Sequence, residues 1–400
     1  MPKAIKIAID ARFMLRPLRG IPLYVYRLCQ YLPAAAPDVH FYYLINTGYE
    51  HNDQIETYRR RMEWISARYP NVVFVDKLSD AEIVWEQFYL PKLLKKLEAD
   101  LLHMPANRVC FSAGLPTVVT LHDVMEYDYT PQRFNERVLK SGESIKIRLY
   151  HARMLAYALL NYKLMSTKAD RVITVSKASK GEIHSKLKLP TDRIQEIYHG
   201  LDEEFSELAP QGPAQRNYVL IFGGDSAQKN PEAAIFSWGK LPLELRKKFR
   251  LKIIGFCGTE ASPIRRAIRE CGLEAEVEVH GWVSSAEVVS SYLSARAFLY
   301  LSRNEGFGFP LIHAMAAGTP IVSSDRGSLP EVLGEVGMQY DPDDHAGIAI
   351  GLARLLGDDI FWQFQSKSGL ARSRQFTWSK AVAAHLEVYQ SMIHPQPMSR

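Results

Sequence analysis

Four hundred residues with an apolar fraction of 47% are enough for two or three domains with sizeable cores. A net charge of +5 is too mild to imply a nucleic-acid partner. The four cysteines form no CxxC pair, which argues against a metal or redox motif and for buried free thiols. No apolar run approaches the ~18–20 residues needed to span a bilayer. The first such run, Ile5–Ile9, is short and ends at Asp10 and Arg12, which is not the pattern of a secretory signal. The expected setting is therefore cytoplasmic.

In chain order, β-branched and aromatic runs predict strands at Ile5–Ile9, Phe41–Ile45, Val72–Val75, Leu101–His103, Thr117–Leu121, Arg171–Val175 and Ile194–Tyr198. Further strands are predicted at Tyr218–Phe222, Leu251–Ile254, Val277–His280, Phe298–Leu301, Ile321–Ser323 and Met338–Tyr340. Helix-length segments lie between most of them. Short apolar strands alternating with helices are the pattern of buried parallel sheets in α/β folds. Residues 201–217 break that rhythm with Pro210, Gly212 and Pro213 and read as a linker. The expected fold is two doubly wound Rossmann-like domains facing across a cleft. The first spans residues 1–205 plus a C-terminal helix at about 377–393, and the second spans 206–376.

Residues 131–193 carry fourteen Lys and Arg against five acids, and the helix-like stretch Ile145–Met165 mixes leucines with cations. Such a segment either docks on anionic lipid or presents a solvated basic face. Peripheral membrane contact through 133–193 is one expectation.

Open α/β sheets bind ligands beyond the carboxyl ends of their strands. In the first domain those ends carry Asp10 and Arg12, the loop to Gly20, His122-Asp123, Ser176 and His199-Gly200. In the second they carry Gly223-Gly224, Trp282, Ser302, Glu305 and Ser323-Ser324. Gly20 permits a tight turn before a helix whose N-terminus favours phosphate. Lys229 follows Gly223-Gly224 and precedes Asn230-Pro231. Glu305-Gly306-Phe307-Gly308-Phe-Pro310 leads from a strand into a helix, and such a turn with free amides is an anion cradle.

Together the segments Val118–Asp123, Ile197–Asp202, Leu220–Pro231, Val279–Ser284 and Glu305–Ser324 resemble retaining nucleotide-sugar glycosyltransferases of family four, which share the GT-B fold. The resemblance implies a saccharide or lipid-linked acceptor, a nucleoside-diphosphate-sugar donor such as UDP-glucose, no metal and no cofactor. It implies that Glu305, His122 and Lys229 carry catalysis. Glu305 and the amides near Gly306, Phe307 and Gly308 would hold the sugar. Gly20, Gly223, Gly224 and Lys229 would lie against the phosphates. Trp282 would stack on the base or belong to the core.

The family pattern places a second acid eight residues after the first. Here that position is His313, expected near the ribose with one hydrogen bond where a carboxylate makes two. Many relatives also have an Arg at the Gly224 position. The resemblance further implies that the helix near 377–393 crosses back to the first domain. Two other readings follow from the same residues. One is a nucleotide-sugar-binding protein impaired by His313. The other is a GT-B epimerase or phosphorylase.

Overall fold

The computed structural model describes residues 4–394 except 50–54, 80, 140, 141, 143, 224, 225, 257 and 261. Gly224 therefore lies outside the described residues. The chain packs into two compact units, residues 1–198 with 378–400 and residues 199–377.

The first unit holds a seven-stranded sheet: β1 (Lys6–Asp10), β2 (His40–Ile45), β3 (Val72–Asp76), β4 (Leu101–Met104), β5 (Thr117–Thr120), β6 (Arg171–Thr174) and β7 (Ile194–Glu196). The order is β3-β2-β1-β4-β5-β6-β7. The second holds six strands: β8 (Tyr218–Phe222), β9 (Arg250–Ile254), β10 (Val277–His280), β11 (Ala295–Tyr300), β12 (Ile321–Ser324) and β13 (Met338–Tyr340), in the order β10-β9-β8-β11-β12-β13. Every pairing in both sheets is parallel. Helices cover both faces of such sheets, so the strands read as continuous apolar runs. β4, β5 and β11 are buried at every residue. Each predicted strand is present within a few residues. The start of β11 was the hardest to see, because Ala295-Arg-Ala lacks β-branching and sits at a register shift against β8.

Helix α1 (Ile21–Ala35) follows Gly20, whose φ of 56° is left-handed, and Pro22 sits in its first turn. The long helix α2 (Ile145–Lys168) precedes β6. In the second unit, α3 (Pro231–Gly239) follows the turn after β8, and α4 (Phe309–Ala316) follows β11. The last helix, α5 (Trp378–Ile393), belongs to the first unit. Its Trp378 ring stacks on Tyr31 of α1, with centroids 6.2 Å apart.

A buried chain of hydrogen bonds ties α5 to α1 and the first sheet. Tyr389 lies 2.7 Å from His103 Nδ1, and His103 Nε2 lies 2.8 Å from Thr120. Thr120 lies 2.9 Å from Tyr24, Tyr24 lies 2.7 Å from His385 Nε2, and His385 Nδ1 lies 2.7 Å from the Ala381 carbonyl. A carbonyl only accepts, so His385 Nδ1 carries the hydrogen and Nε2 accepts from Tyr24. Each earlier donor is then fixed in turn, back to Tyr389 donating to His103. Burial holds His385 at a pKa of about 4 and His103 well below the ordinary value. Both imidazoles are neutral at pH 7, as the chain of donors requires.

The segment read as a linker is partly built into the second unit. Leu201 N–H bonds the Phe376 carbonyl, and Asp202 and Phe205 contact His313. Residues 199–205 therefore move from the first domain, where the sequence placed them, to the second unit. Arg216 anchors the end of this segment by donating to the carbonyls of Gln211, Ala295 and Ala317 and to the Thr319 hydroxyl. Burial draws its pKa down to about 10.

Candidate functional site

β8 ends at Phe222, and the chain turns at Gly223 with φ 151°. A Cβ there would lie 3.2 Å from Lys229 Cβ, so glycine is what lets the lysine fold back against the strand end. Two loops are laced together around it. Gln228 Nε2 donates to the Asn304 carbonyl at 2.7 Å, and Arg303 N–H donates to the Gln228 carbonyl at 2.8 Å.

The lacing brings three polar side chains to one point. Lys229 Nζ lies 2.6 Å from Glu305 Oε1 and 3.0 Å from the Tyr300 hydroxyl. Tyr300 in turn donates to Glu305 Oε1 at 2.7 Å. Burial works against the Lys229 charge, but Tyr300 and Glu305 outweigh it and hold the ammonium well above its ordinary pKa. Burial and Glu305 push the Tyr300 hydroxyl up, so it remains a neutral donor. Both donors converge on Oε1. Glu305 Oε2 has no hydrogen-bond partner among the described residues and is left as a charged acceptor. Lys229 keeps a side-chain exposure of 30%, against 11% for Glu305. The pair is thus shielded yet reachable, which strengthens its electrostatics relative to open solvent.

The backbone around Glu305 is fixed from beneath. The Ser328 hydroxyl lies 2.9 and 2.8 Å from the carbonyls of Glu305 and Phe307. Gly327 has φ 57°, and a Cβ there would come within 3.0 Å of Glu305 N. Gly306 sits in this turn. Gly308, with φ 103°, precedes α4 without any side-chain cap; Pro310 has no N–H and Leu311 N–H bonds the Gly308 carbonyl at 2.9 Å, so among the described residues the Phe309 amide is the first-turn donor left to an anion. The Phe307 ring is buried against His199, Phe309 and Phe376. Only its backbone can serve a ligand.

His313 lies on α4, two residues beyond Leu311. Its Nε2 is 3.0 Å from Asp202 Oδ2, and its ring stacks on Phe205 with centroids 4.1 Å apart and planes 4° apart. Trp282 is 65% exposed, which rules out the core alternative. A Cβ on Gly255 would lie 3.7 Å from its ring. The capping box of Ser284 and Glu287 starts the next helix two residues later.

The other expected residues belong to the first unit. Gly20 has open space around its Cα. His122 is buried, donates from Nε2 to the Pro105 carbonyl at 3.0 Å and packs edge-on to Tyr24. Burial lowers its pKa to about 4, so it acts only as a neutral imidazole. Asp10 and Arg12 are not presented on a rim. They form a buried bidentate pair at 2.8 and 2.7 Å, with Glu86 a further 2.8 Å partner of Arg12.

A family model described as Glycosyltransferase Family 4 matches residues 18–205, and one described as Glycosyl transferases group 1 matches residues 204–368. The chain belongs to glycosyltransferase family four. It is 26% identical to O-antigen chain mannosyltransferase B of Escherichia coli over 84% of this chain and 80% of that protein. It is 25% identical to the serotype-specific mannosyltransferase WbdA of Escherichia coli over 55% of this chain, which spans 28% of that longer protein. Among solved structures, Anabaena Alr3699/HepE in complex with UDP and glucose superposes with a TM-score of 0.69 at 17% identity, covering 97% of this chain and all of that one. The glycosyltransferase fold is therefore GT-B, with two Rossmann-like parallel-sheet domains.

Sequence reading singles out Lys229 and Glu305, which the structure brings together, but misses three residues that position them or their neighbours. Tyr300 reads as one more aromatic at the end of a buried strand. Ser328 reads as a turn residue. Asp202 reads only as the end of the Ile197–Asp202 segment, although an acid absent from position 313 is a reason to look for one elsewhere.

Proposed function

We propose that this glycosyltransferase moves a hexose from a nucleoside diphosphate to a saccharide or lipid-linked acceptor in polysaccharide or glycoconjugate assembly, with retention at the anomeric carbon and without metal. The observation that carries the reading is the Lys229–Tyr300–Glu305 cluster beside the uncapped start of α4. The bond between the anomeric carbon and the diphosphate oxygen breaks, and a bond to the acceptor oxygen forms on the same face. The leaving phosphate oxygen takes the acceptor proton. Lys229, the Phe309 amide and the positive N-terminal end of α4 stabilise the charge that develops on the diphosphate, while Glu305 Oε2 accepts from sugar hydroxyls and fixes the ring. Exposed Trp282 is assigned to the nucleotide base. Gly20 and His122 are assigned to the phosphates and the donor sugar.

Mannose is the first choice of sugar, because relatives matched along most or half of the chain are named mannosyltransferases. Glucose from UDP-glucose, expected from sequence, is the second. A structural neighbour in complex with UDP-glucose favours it. No helix among the described residues is long and apolar enough to cross a membrane. The start of α2 exposes Ile145, Ile147, Leu149 and Tyr150, interleaved with Lys146 and Arg148, and we assign it to contact with anionic lipid near the acceptor.

The test is turnover of GDP-mannose and UDP-glucose with lipid-linked saccharide acceptors, with and without EDTA. Transfer with retained anomeric configuration in EDTA supports the reading. Tight binding without transfer or donor hydrolysis would favour the binding-protein alternative.

A further inference from the structure

His313 stands where the family pattern has an acid, and its surroundings are unusually determined. Four rings form a column. His199 stacks on Phe309 at 4.6 Å and 3°, Phe309 lies 6.1 Å from His313, and His313 stacks on Phe205 at 4.1 Å. Tyr292 meets the His313 edge at 6.1 Å. The column fixes the plane of the imidazole, and the Asp202 hydrogen bond fixes its rotation within that plane. Asp202 precedes the helical turn Glu203–Ser206 but does not cap it with its side chain. The carboxylate points to His313 instead, with 5% exposure against 12% for the imidazole.

This geometry has a chemical consequence. A carboxylate accepts, so Nε2 of His313 carries the hydrogen and, in the neutral ring, Nδ1 holds a lone pair. Nδ1 has no partner among the described residues, and it is not one of their sealed, unsatisfied atoms. We propose that Asp202 is a positioning residue that makes His313 Nδ1 an acceptor for a ligand hydroxyl, so that the pair acts as one carboxylate extended through an imidazole. The charge sits on Asp202 and the accepting atom sits one ring further out. Nδ1 offers one lone pair, so the pair accepts one hydroxyl hydrogen where a carboxylate accepts two. It therefore reads a single hydroxyl of the nucleotide ribose. This inference rests on the donor-site reading above.

The test is calorimetric titration of the intact protein with GDP and UDP and with their 2′-deoxy and 3′-deoxy forms, for wild type, Asp202→Asn, His313→Glu and the double variant. Wild type should prefer the ribonucleotide over one deoxy form by about tenfold, the scale of one hydrogen bond to a group carrying charge. Asp202→Asn should lose that preference, because an amide can donate to Nε2 and move the hydrogen to Nδ1. His313→Glu alone should not bind tighter than wild type, since its carboxylate would lie beside Asp202. The double variant removes that repulsion and should recover ribonucleotide affinity to within a few-fold. Histidine ¹⁵N spectra supply a second readout. Wild type should show His313 hydrogenated at Nε2, and Asp202→Asn should shift it toward Nδ1. Equal binding of ribo and both deoxy forms by wild type would overturn the dyad while leaving the donor site standing. Failure of wild type to bind any of the diphosphates would overturn both.

Discussion

The two units each contain a string of buried polar groups, and the strings differ in kind. In the first, Tyr389, His103, Thr120, Tyr24 and His385 pass hydrogens in one direction to the Ala381 carbonyl, and every group in the string is neutral. In the second, Lys229 and Tyr300 crowd one oxygen of Glu305 and leave the other unused. A closed neutral network holds elements together, because leaving any member unpaired costs the desolvation of that group. An open charged one stores capacity for a ligand.

Breaking the open string should affect chemistry first. Glu305→Ala is expected to cut turnover by on the order of 10²–10³, the scale of losing one preorganised electrostatic contact, in a protein that still folds. If turnover survives, the sugar is held elsewhere.

The closed string should respond to acid. His385 within it, and His122 packed edge-on to its Tyr24, have folded pKa values of about 4 against an ordinary 6.5, so the unfolded chain takes up protons first. Stability is complete above about pH 6.5 and falls as pH drops toward 4, by on the order of a few kcal/mol for the two together. Urea unfolding at a series of pH values measures this. A flat profile from pH 7 to 4.5 would mean that the imidazoles are not sealed.

Lys229→Ala should weaken nucleoside diphosphate binding by roughly 10- to 100-fold, in line with a charge-assisted contact of about 1.5–3 kcal/mol. Equal affinity would remove the lysine from the phosphate role. The smallest effect sharpens the contrast most. Tyr24→Phe should cost about 1–3 kcal/mol of stability by leaving His385 Nε2 and the Thr120 hydroxyl without their partner, and calorimetry should show nucleotide affinity unchanged.

Much of this was legible in the sequence, and the reasons are local. Runs such as Val118-Val119-Thr120 and Ile321-Val322 announce strands buried on both faces. Lys229 and Glu305 sit in short motifs whose glycines are themselves part of the signal. The rest depends on partners far apart in the chain. His103 meets Tyr389 across 286 residues, and His313 meets Asp202 across 111. No periodicity links such positions. Arg12 read as a rim cation because its partner Glu86 lies in a separate segment, within a π-helical turn at Trp85–Tyr89. Trp282 had two readings, stacking on the base or core, and its exposure removes the second.

One consequence of the helix α5 contacts concerns synthesis. The second unit is a single uninterrupted stretch, whereas the first needs residues on both sides of it. On a ribosome adding about 5–20 residues per second, the first unit's long stretch, ending at residue 198, is made roughly ten to forty seconds before Tyr389 and His385 are. Through that interval α1 waits with Tyr24 and Tyr31 uncovered. The part of the protein made first is therefore the part that finishes last.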